Sequence, residues 1–584
     1  MTVKTSLEIS NDISKPEQLI TEHIDIWTSA ILAKSTSGRG SSKKYELYGI
    51  SKLRELILEL AVRGKLVPQD DNDEPASVLL EKIAAEKAQL IKEKKIKKTK
   101  ADSEVSEDEK FFELPNSWQW TRLNLITEIN PRNTDVDDKT KASFVPMTLI
   151  TTSYDGVHDS ESRPWSEIKK GYTHFANGDI AIAKITPCFE NSKAAIFRNL
   201  ENGIGAGTTE LHVARPFGDQ IESNFLLLYF KSPNFLTMGQ KLMTGSAGHK
   251  RVPRSFFESN PIPLPPLAEQ KRIVSKVDEL MLLCDQLEQQ TEASIEAHAT
   301  LVEVLLSTLT DSADADELAQ NWARIAEHFD SLFTTEQSIE ALKQTVLQLA
   351  VMGKLVPQNP DDEPASVLLE KIAEEKEQLI KEKRIRDNKS PAKNNEASLN
   401  CELPLGWTIS CFGDITFNRD PERVPLSVDV RRNRQGSYDY YGASGVIDQI
   451  DDFLFDKPLL LIGEDGANLV NRSTPIAFIA RGKYWVNNHA HVIDGINEAL
   501  LLYLSIYINS ISLKPYITGT AQPKMNQAKM NSILVMLPPL AEQHRIVTKV
   551  DELMAICDQL KEKLQQSQET QVQITDALTD RALG

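Results

Sequence analysis

Asparagine and arginine can form two hydrogen bonds at once with the edge of a base, and lysine and arginine also neutralise phosphates. The 584-residue sequence gathers such side chains at a few places. Lys184, Asn191 and Lys193 follow the alternating run Gly178-Asp179-Ile180-Ala181-Ile182-Ala183, which predicts a strand leading through Thr186-Pro187 into a loop. Lys250, Arg251 and Arg254 form one basic group, Arg431, Arg432 and Arg434 another, and Asn487 and Asn488 stand side by side. The three asparagines are candidate base readers. The basic residues are candidate phosphate contacts or guanine readers. On sequence alone, each is equally an ordinary surface or packing group.

Patterns that would support catalysis fail on their surroundings. Gly203-Ile204-Gly205-Ala206-Gly207 resembles a cofactor loop without the strand before it and the helix after it that such a loop needs. Pro360-Asp361 with Glu374-Glu375-Lys376 mimics a nuclease carboxylate set, but falls on a charged helix, and the corresponding stretch at Pro68 continues with Gln69. His489 and His491 share one face of a strand with no third ligand, as packing or hydrogen-bonding groups do. Neither a P-loop nor an asparagine- or aspartate-proline-proline-aromatic motif for adenine methylation occurs. The five cysteines form no CxxC pair, which argues against a disulfide framework or structural zinc site. No apolar run approaches the roughly 18 residues of a membrane span, and the amino terminus carries no secretory signal, so a reducing, cytoplasmic home is expected.

The elements that must position these residues are revealed by internal repetition. GKLVPQDDNDEPASVLLEKIAAEKAQLIKEKK, Gly64 to Lys95, returns from Gly353 to Arg384 with 26 of 32 positions identical. LPPLAEQKRIVSKVDELMLLCDQL, Leu264 to Leu287, returns from Leu537 to Leu560 with 20 of 24 identical. The interval between copies is 289 residues at Gly64 and 273 at Leu264. FLLLYF at Phe225 and Thr244-Gly245-Ser246-Ala247 recur at an interval of 274, so 15 of the lost residues fall between about Trp120 and Phe225. In that stretch the copies show no convincing match. The chain reads as one frame used twice, carrying two unlike inserts.

After Pro265-Pro266, a helix entry, Ile273, Val277, Leu280, Cys284 and Leu287 step by 4, 3, 4, 3, and Ile546, Val550, Leu553, Cys557 and Leu560 repeat the pattern. Helices are expected over Leu267 to Leu309 and Leu540 to about Ala577, the first about 60 Å long. The most economical burial for two such seams is on each other, antiparallel, with an insert at each end and an approximate two-fold axis. The other repeated helix is expected over Ala76 to Lys98 and Ala365 to Arg386, with lysines such as Lys92, Lys94, Lys95, Lys97 and Lys98 at a solvated end. Polar segments 99–110 and 387–399 read as linkers, and Gly38 to Ser42 as another. Residues 118–263 hold 16 basic and 15 acidic side chains and residues 407–536 hold 12 and 13, so the net charge of -18 belongs to the frame.

These residues resemble the specificity subunit of type I restriction-modification enzymes, in the subgroup with a long amino-terminal conserved region. The resemblance covers nearly the whole chain and rests on LPPLAEQKRIV and LPPLAEQHRIV, on the ELP-x-x-W entries at Glu113 and Glu402, and on LLLIGEDGANLVNRSTPIAF and YWVNNHAHV in the second insert. It implies an α+β fold: two α/β target recognition domains separated by long antiparallel coiled-coil helices in a pseudo-two-fold repeat. The expected division is an amino-terminal segment 1–44, a helical region 45–110, recognition domain 111–263, central helical region 264–399, recognition domain 400–536 and final helix 537–584.

The resemblance further implies that each recognition domain reads one half of a bipartite, asymmetric sequence in double-stranded DNA, while the helices act as a ruler. It implies two methyltransferase subunits, motor-nuclease subunits, and S-adenosylmethionine, ATP and Mg2+ bound by those partners rather than by this chain. Catalysis by this chain and a membrane role are not expected. Two unlike inserts on duplicate frames are independently what reading two unlike half-sites from one scaffold requires. The rival is a coiled-coil scaffold whose inserts bind proteins, recognisable by aromatic-rich insert surfaces and binding indifferent to salt.

Overall fold

A computed structural model of the chain describes residues 16–33, 45–97, 104–246, 248–385, 403–519 and 522–584. The Gly38 to Ser42 link, the 387–399 linker, Lys98, Arg386, Glu402 and residues 99–103 of the first linker lie outside the described residues. The chain divides into two compact units, residues 1–293 with 567–584, and residues 294–566.

The main helices of the frame among the described residues are α1 Tyr48–Val62, α2 Ala76–Lys92, α3 Leu267–Asp311, α4 Glu336–Val351, α5 Ala365–Lys381 and α6 Leu540–Leu583. The two long helices run slightly beyond their expected ends, to 45 and 44 residues. Each contributes to both units, because α3 begins in the first and ends in the second while α6 does the reverse. The seam positions are buried except Leu553 and Leu560, which are half-buried, and Ile273, Val277, Cys284 and Ile546 are at 0% exposure. Ile546, Val550 and Cys557 share one apolar core with Leu342, Val346 and Leu349 of α4. Charged pairs repeat the arrangement: Arg54 of α1 meets Asp285 and Glu288 of α3, and Lys343 of α4 meets Asp558 of α6.

Helices α2 and α5 end six and five residues earlier than expected, a correction with a local cause. Lys94 and Lys383 adopt left-handed backbone conformations, φ 60° and 57°. Amides 94 and 95 then turn back to the Ile91 and Leu90 carbonyls, satisfying the last turn and stopping the helix.

The two repeated blocks touch one another in each copy. At the start of α3, buried Glu269 accepts from Gln69 Nε2 at 2.6 Å and Arg272 pairs with Asp73 at 2.7 Å. At the start of α6, Glu542 accepts from Gln358 at 2.7 Å and Arg545 pairs with Asp362 at 2.6 Å. The neighbouring glutamines, Gln270 and Gln543, donate back to the Pro265 and Pro538 carbonyls at 2.9 Å. Glutamate, glutamine and arginine of the LPPLAEQ-x-R motif therefore all hold the helix entry in place.

Among the described residues each insert holds two small sheets, besides a two-stranded ladder that pairs its entry with its exit, Gln119–Arg122 with Pro261–Leu264 and Thr408–Cys411 with Leu534–Leu537. In the first unit, β1 Thr127–Ile129, β2 Lys141–Val145, β3 Glu161–Pro164, β4 Thr173–Ala176, β5 Ile180–Ala183, β6 Ala194–Ile196, β7 Ile204–Gly207 and β8 Leu211–Pro216 form sheets of order β3-β2-β7-β4 and β1-β8-β5-β6. In the second, β9 Phe417–Asn418, β10 Gln435–Gly442, β11 Gly445–Ile450, β12 Leu459–Gly463, β13 Ala477–Ala480, β14 Tyr484–Val486 and β15 Ala490–Asp494 give β11-β10-β14 and β9-β15-β12-β13. Apart from β4, which has no counterpart among the described residues of the second insert, the strand order is the same, down to the parallel pair in each, β2 with β7 and β10 with β14. Inserts without convincing sequence similarity thus share one backbone plan. Strands preserve register and apolar alternation rather than residue identity, so the likeness escapes comparison of letters.

An ion pair on a buried aspartate shows how freely the side chains vary on that plan. In the first unit Asp179, beside β5, pairs with Arg215 of β8 at 2.8 Å. In the second the signs are exchanged, and Lys457 beside β12 pairs with Asp494 of β15 at 2.9 Å.

Candidate nucleic-acid interface

Three loops meet at one edge of each insert. In the first unit, the Lys184 amide, just after β5, bonds the Glu210 carbonyl that precedes β8, at 2.9 Å. A third loop closes on both: the Val252 amide bonds the Lys184 carbonyl at 2.8 Å and the Thr186 amide bonds the Lys250 carbonyl at 3.0 Å. The second unit repeats the set. The Glu464 amide bonds the His489 carbonyl at 2.8 Å, Met525 bonds Glu464 at 2.9 Å and Gly466 bonds Pro523 at 3.0 Å. Isolated bridges join Ile185 and Thr244 to Arg251, and Asp465 and Thr518 to Lys524. Position by position, Lys184 corresponds to Glu464, Glu210 to His489, Arg251 to Lys524 and His212 to His491.

Identical backbone bonding therefore displays unlike chemistry. On the first edge, exposed Lys250 and half-buried Lys184 flank Arg251, whose Nε and Nη2 hold both oxygens of Glu210 at 2.9 and 2.8 Å. Arg251 draws the Glu210 carboxyl below its ordinary range. The second edge is a mixed network, in which Glu464 is bound by Arg423 at 3.0 Å and Lys524 at 3.1 Å, and Asp465 by His489 at 2.8 Å.

The two equivalent histidines are opposite in charge preference. Both donate Nε2 to a backbone carbonyl, His212 to Val252 at 3.2 Å and His491 to Met525 at 2.9 Å. Burial pushes His212 down to about 4. Burial also opposes charge on His491, but the Asp420 carboxylate, 2.6 Å from Nδ1, outweighs it and raises that imidazole above its ordinary value.

The structure brings Lys184, Lys250 and Arg251 together at the first edge, with Asn191 exposed on the loop between β5 and β6. Lys193 donates instead to the Met147 carbonyl at 3.0 Å, and Arg254 pairs with Glu258 one helical turn on. Asn487 is buried, its side-chain oxygen accepting the His489 amide at 2.8 Å, while Asn488 is exposed beside it. Arg431 lies 4.9 Å over the Tyr440 ring and bonds Asp448, Arg434 lies 5.1 Å over Trp485 and bonds Asp451, and Arg432 is exposed near Asp429. These arginines precede β10 whereas Asn487 follows β14. Because β10 and β14 run parallel, the two groups occupy opposite ends of that pair rather than one surface.

Glu210, Glu464, Asp465 and Lys524 are site residues that sequence reasoning did not collect, and His489, read there as a packing or hydrogen-bonding group, belongs with them. Their signal was the i, i+2 spacing of Glu210 with His212 and of His489 with His491 at the entry to a strand, which places each pair on one face. Among the described residues no helix is long and apolar enough to cross a membrane, and no group of three or more histidine, cysteine or carboxylate side chains could hold a metal ion.

The family model for the type I restriction modification DNA specificity domain matches residues 115–297 and 404–569, spanning both edges. The type I restriction enzyme EcoAI specificity subunit of Escherichia coli is 51% identical over 591 residues, covering 97% of this chain and all of that protein. The EcoEI specificity subunit of the same organism is 50% identical over 599 residues, again 97% of this chain and all of the relative. A solved chain described as "Structural basis underlying complex assembly and conformational transition of the type I R-M system" aligns over 81% of this chain and 99% of its own, with 16% identity and a TM-score of 0.49. With its repeated α+β frame and a family match in each insert, the chain belongs to the specificity subunits of type I restriction-modification systems.

Proposed function

We propose that each three-loop edge reads one half of a bipartite, asymmetric target in duplex DNA, and that the long helices fix the interval between the halves. The frame holds two methyltransferase subunits and, through them, the motor-nuclease subunits, in the cytoplasm. This chain makes no or breaks no bond itself; S-adenosylmethionine, ATP and Mg2+ serve the partners.

The observation that carries the reading is the pairing of one backbone plan with different side chains, Lys184 against Glu464 and Arg251 against Lys524. A shared frame presents both edges equivalently, while the differences let them select unlike half-sites. Near-neutral inserts with a few clustered cations suit weak phosphate contacts supplemented by base contacts.

The test is an exchange of residues 407–536 for the second insert of another family member, followed by mapping of methylated adenines in cells that also express the modification partner. One half of the modified sequence changes and the other persists. Change in both halves refutes separate reading, and DNA binding indifferent to salt would favour the protein-scaffold alternative.

A further inference from the structure

We propose that Arg251 reads a guanine in the half-site of the first unit and that Glu210 is the positioning residue that orients it, a refinement that rests on the reading above. A free arginine has many rotamers, and ordering them costs affinity. Here the cost is met before DNA arrives. Glu210 grips Nε and Nη2 at 2.9 and 2.8 Å, and Arg251 is itself bridged on the backbone to both Ile185 and Thr244. One edge of the guanidinium is thereby taken, while at the end carrying Nη1 and the second Nη2 hydrogen the contact among the described residues is a long one from Nη1 to the His249 carbonyl, at 3.4 Å.

That end offers two parallel donors, the complement of the N7 and O6 acceptors that guanine alone presents in the major groove. The side chain is 46% exposed, so the fork faces outward instead of filling the core. The second unit sharpens the assignment, because its equivalent residue is Lys524, a point charge held by Glu464 and unable to form the two-pronged contact. One edge is thus equipped for guanine at a position where the other is not.

Adenine-methylation mapping with the chain and its modification partner tests this, using Arg251→Lys, which keeps the charge, and Glu210→Gln, which keeps the shape. Arg251→Lys should lower discrimination at a single base position of one half-target by about tenfold or more, and Glu210→Gln should loosen the same position. The other half should not change. Lys250→Ala is the contrast, weakening modification at all sequences alike without altering which base is chosen. An unchanged target for Arg251→Lys and Glu210→Gln, or loss of modification uniform over all sites, overturns the proposal. If the exchange of residues 407–536 still changes one half only, separate reading survives that failure. Relaxation in both halves would sink both.

Discussion

Glu542, buried under the first turn of α6, accepts the indole hydrogen of Trp407 at 2.9 Å. The same carboxylate takes the Gln358 amide, so one side chain ties the recognition insert's entry, the repeated GKLVPQ block and the long helix together. Its removal from water is costly, and burial raises its pKa in spite of both donors. Trp407→Phe keeps the ring packing while depriving that carboxylate of a donor. It should destabilise the second unit by about 1–3 kcal/mol, read as a shift in denaturant midpoint.

Gly64 and Gly353 make a matched pair. Both have φ +69°, and a Cβ on either would lie 2.6 Å from a proline Cγ, that of Pro115 or Pro404. Alanine at either site combines backbone strain with a clash against a rigid ring. Each substitution should cost about 1–3 kcal/mol in thermal or chemical unfolding, and the two losses should be similar. A tolerated alanine at one site alone would break the equivalence of the two frames.

The histidines predict opposite responses to acid. His212 is held neutral, at about 4 against an ordinary 6.5, so its contribution to stability is complete above pH 6.5 and fades as pH falls toward 4. His491 is raised, so its contribution is complete below 6.5 and fades as pH rises through its folded value. Thermal melts from pH 4 to 8 should show that His212→Gln flattens the acid-side loss of the first unit. His491→Gln should remove the acid-side advantage of the second. Changes of the same sign for both would contradict the assignment of charge.

Ile273 and Val277 are fully buried on the first seam. Aspartate at both positions places two carboxylates where no water or partner is provided, a loss of several kcal/mol. The expected result is an unfolded first unit and no assembly with partner subunits in a mass measurement of the complex. An intact complex would show that the seam is not what organises the frame.

How much was legible beforehand follows from what each kind of contact demands. The seam at Ile273, Val277 and Cys284 was visible because helical burial fixes residue type at a regular period. The LPPLAEQ and GKLVPQ blocks were visible as repeats, though nothing in their letters says that Gln69 and Glu269 touch across 200 residues. The common plan of the inserts was not visible, since strand register tolerates replacement of Lys184 by Glu464 or exchange of an aspartate and a cation across one sheet. Among the candidate readers, sequence supplied the donors but not their neighbours. Lys193, Arg431 and Asn487 are held by groups within their own insert, and only the fold reveals Met147, Asp448 and the His489 amide as their acceptors or donors.

The sharing of the long helices between units also imposes an order on biosynthesis. Lys65 bonds the Leu583 carbonyl at 2.7 Å and Tyr48 bonds Asp576 at 2.7 Å, so elements made early are completed by residues made late. While the ribosome is still translating α6, the nascent first module lacks its closing strap, although all of the second module's insert has already emerged or been polymerised. A premature stop codon just after residue 566 would therefore injure the half of the protein farthest away along the message and leave the nearer half whole.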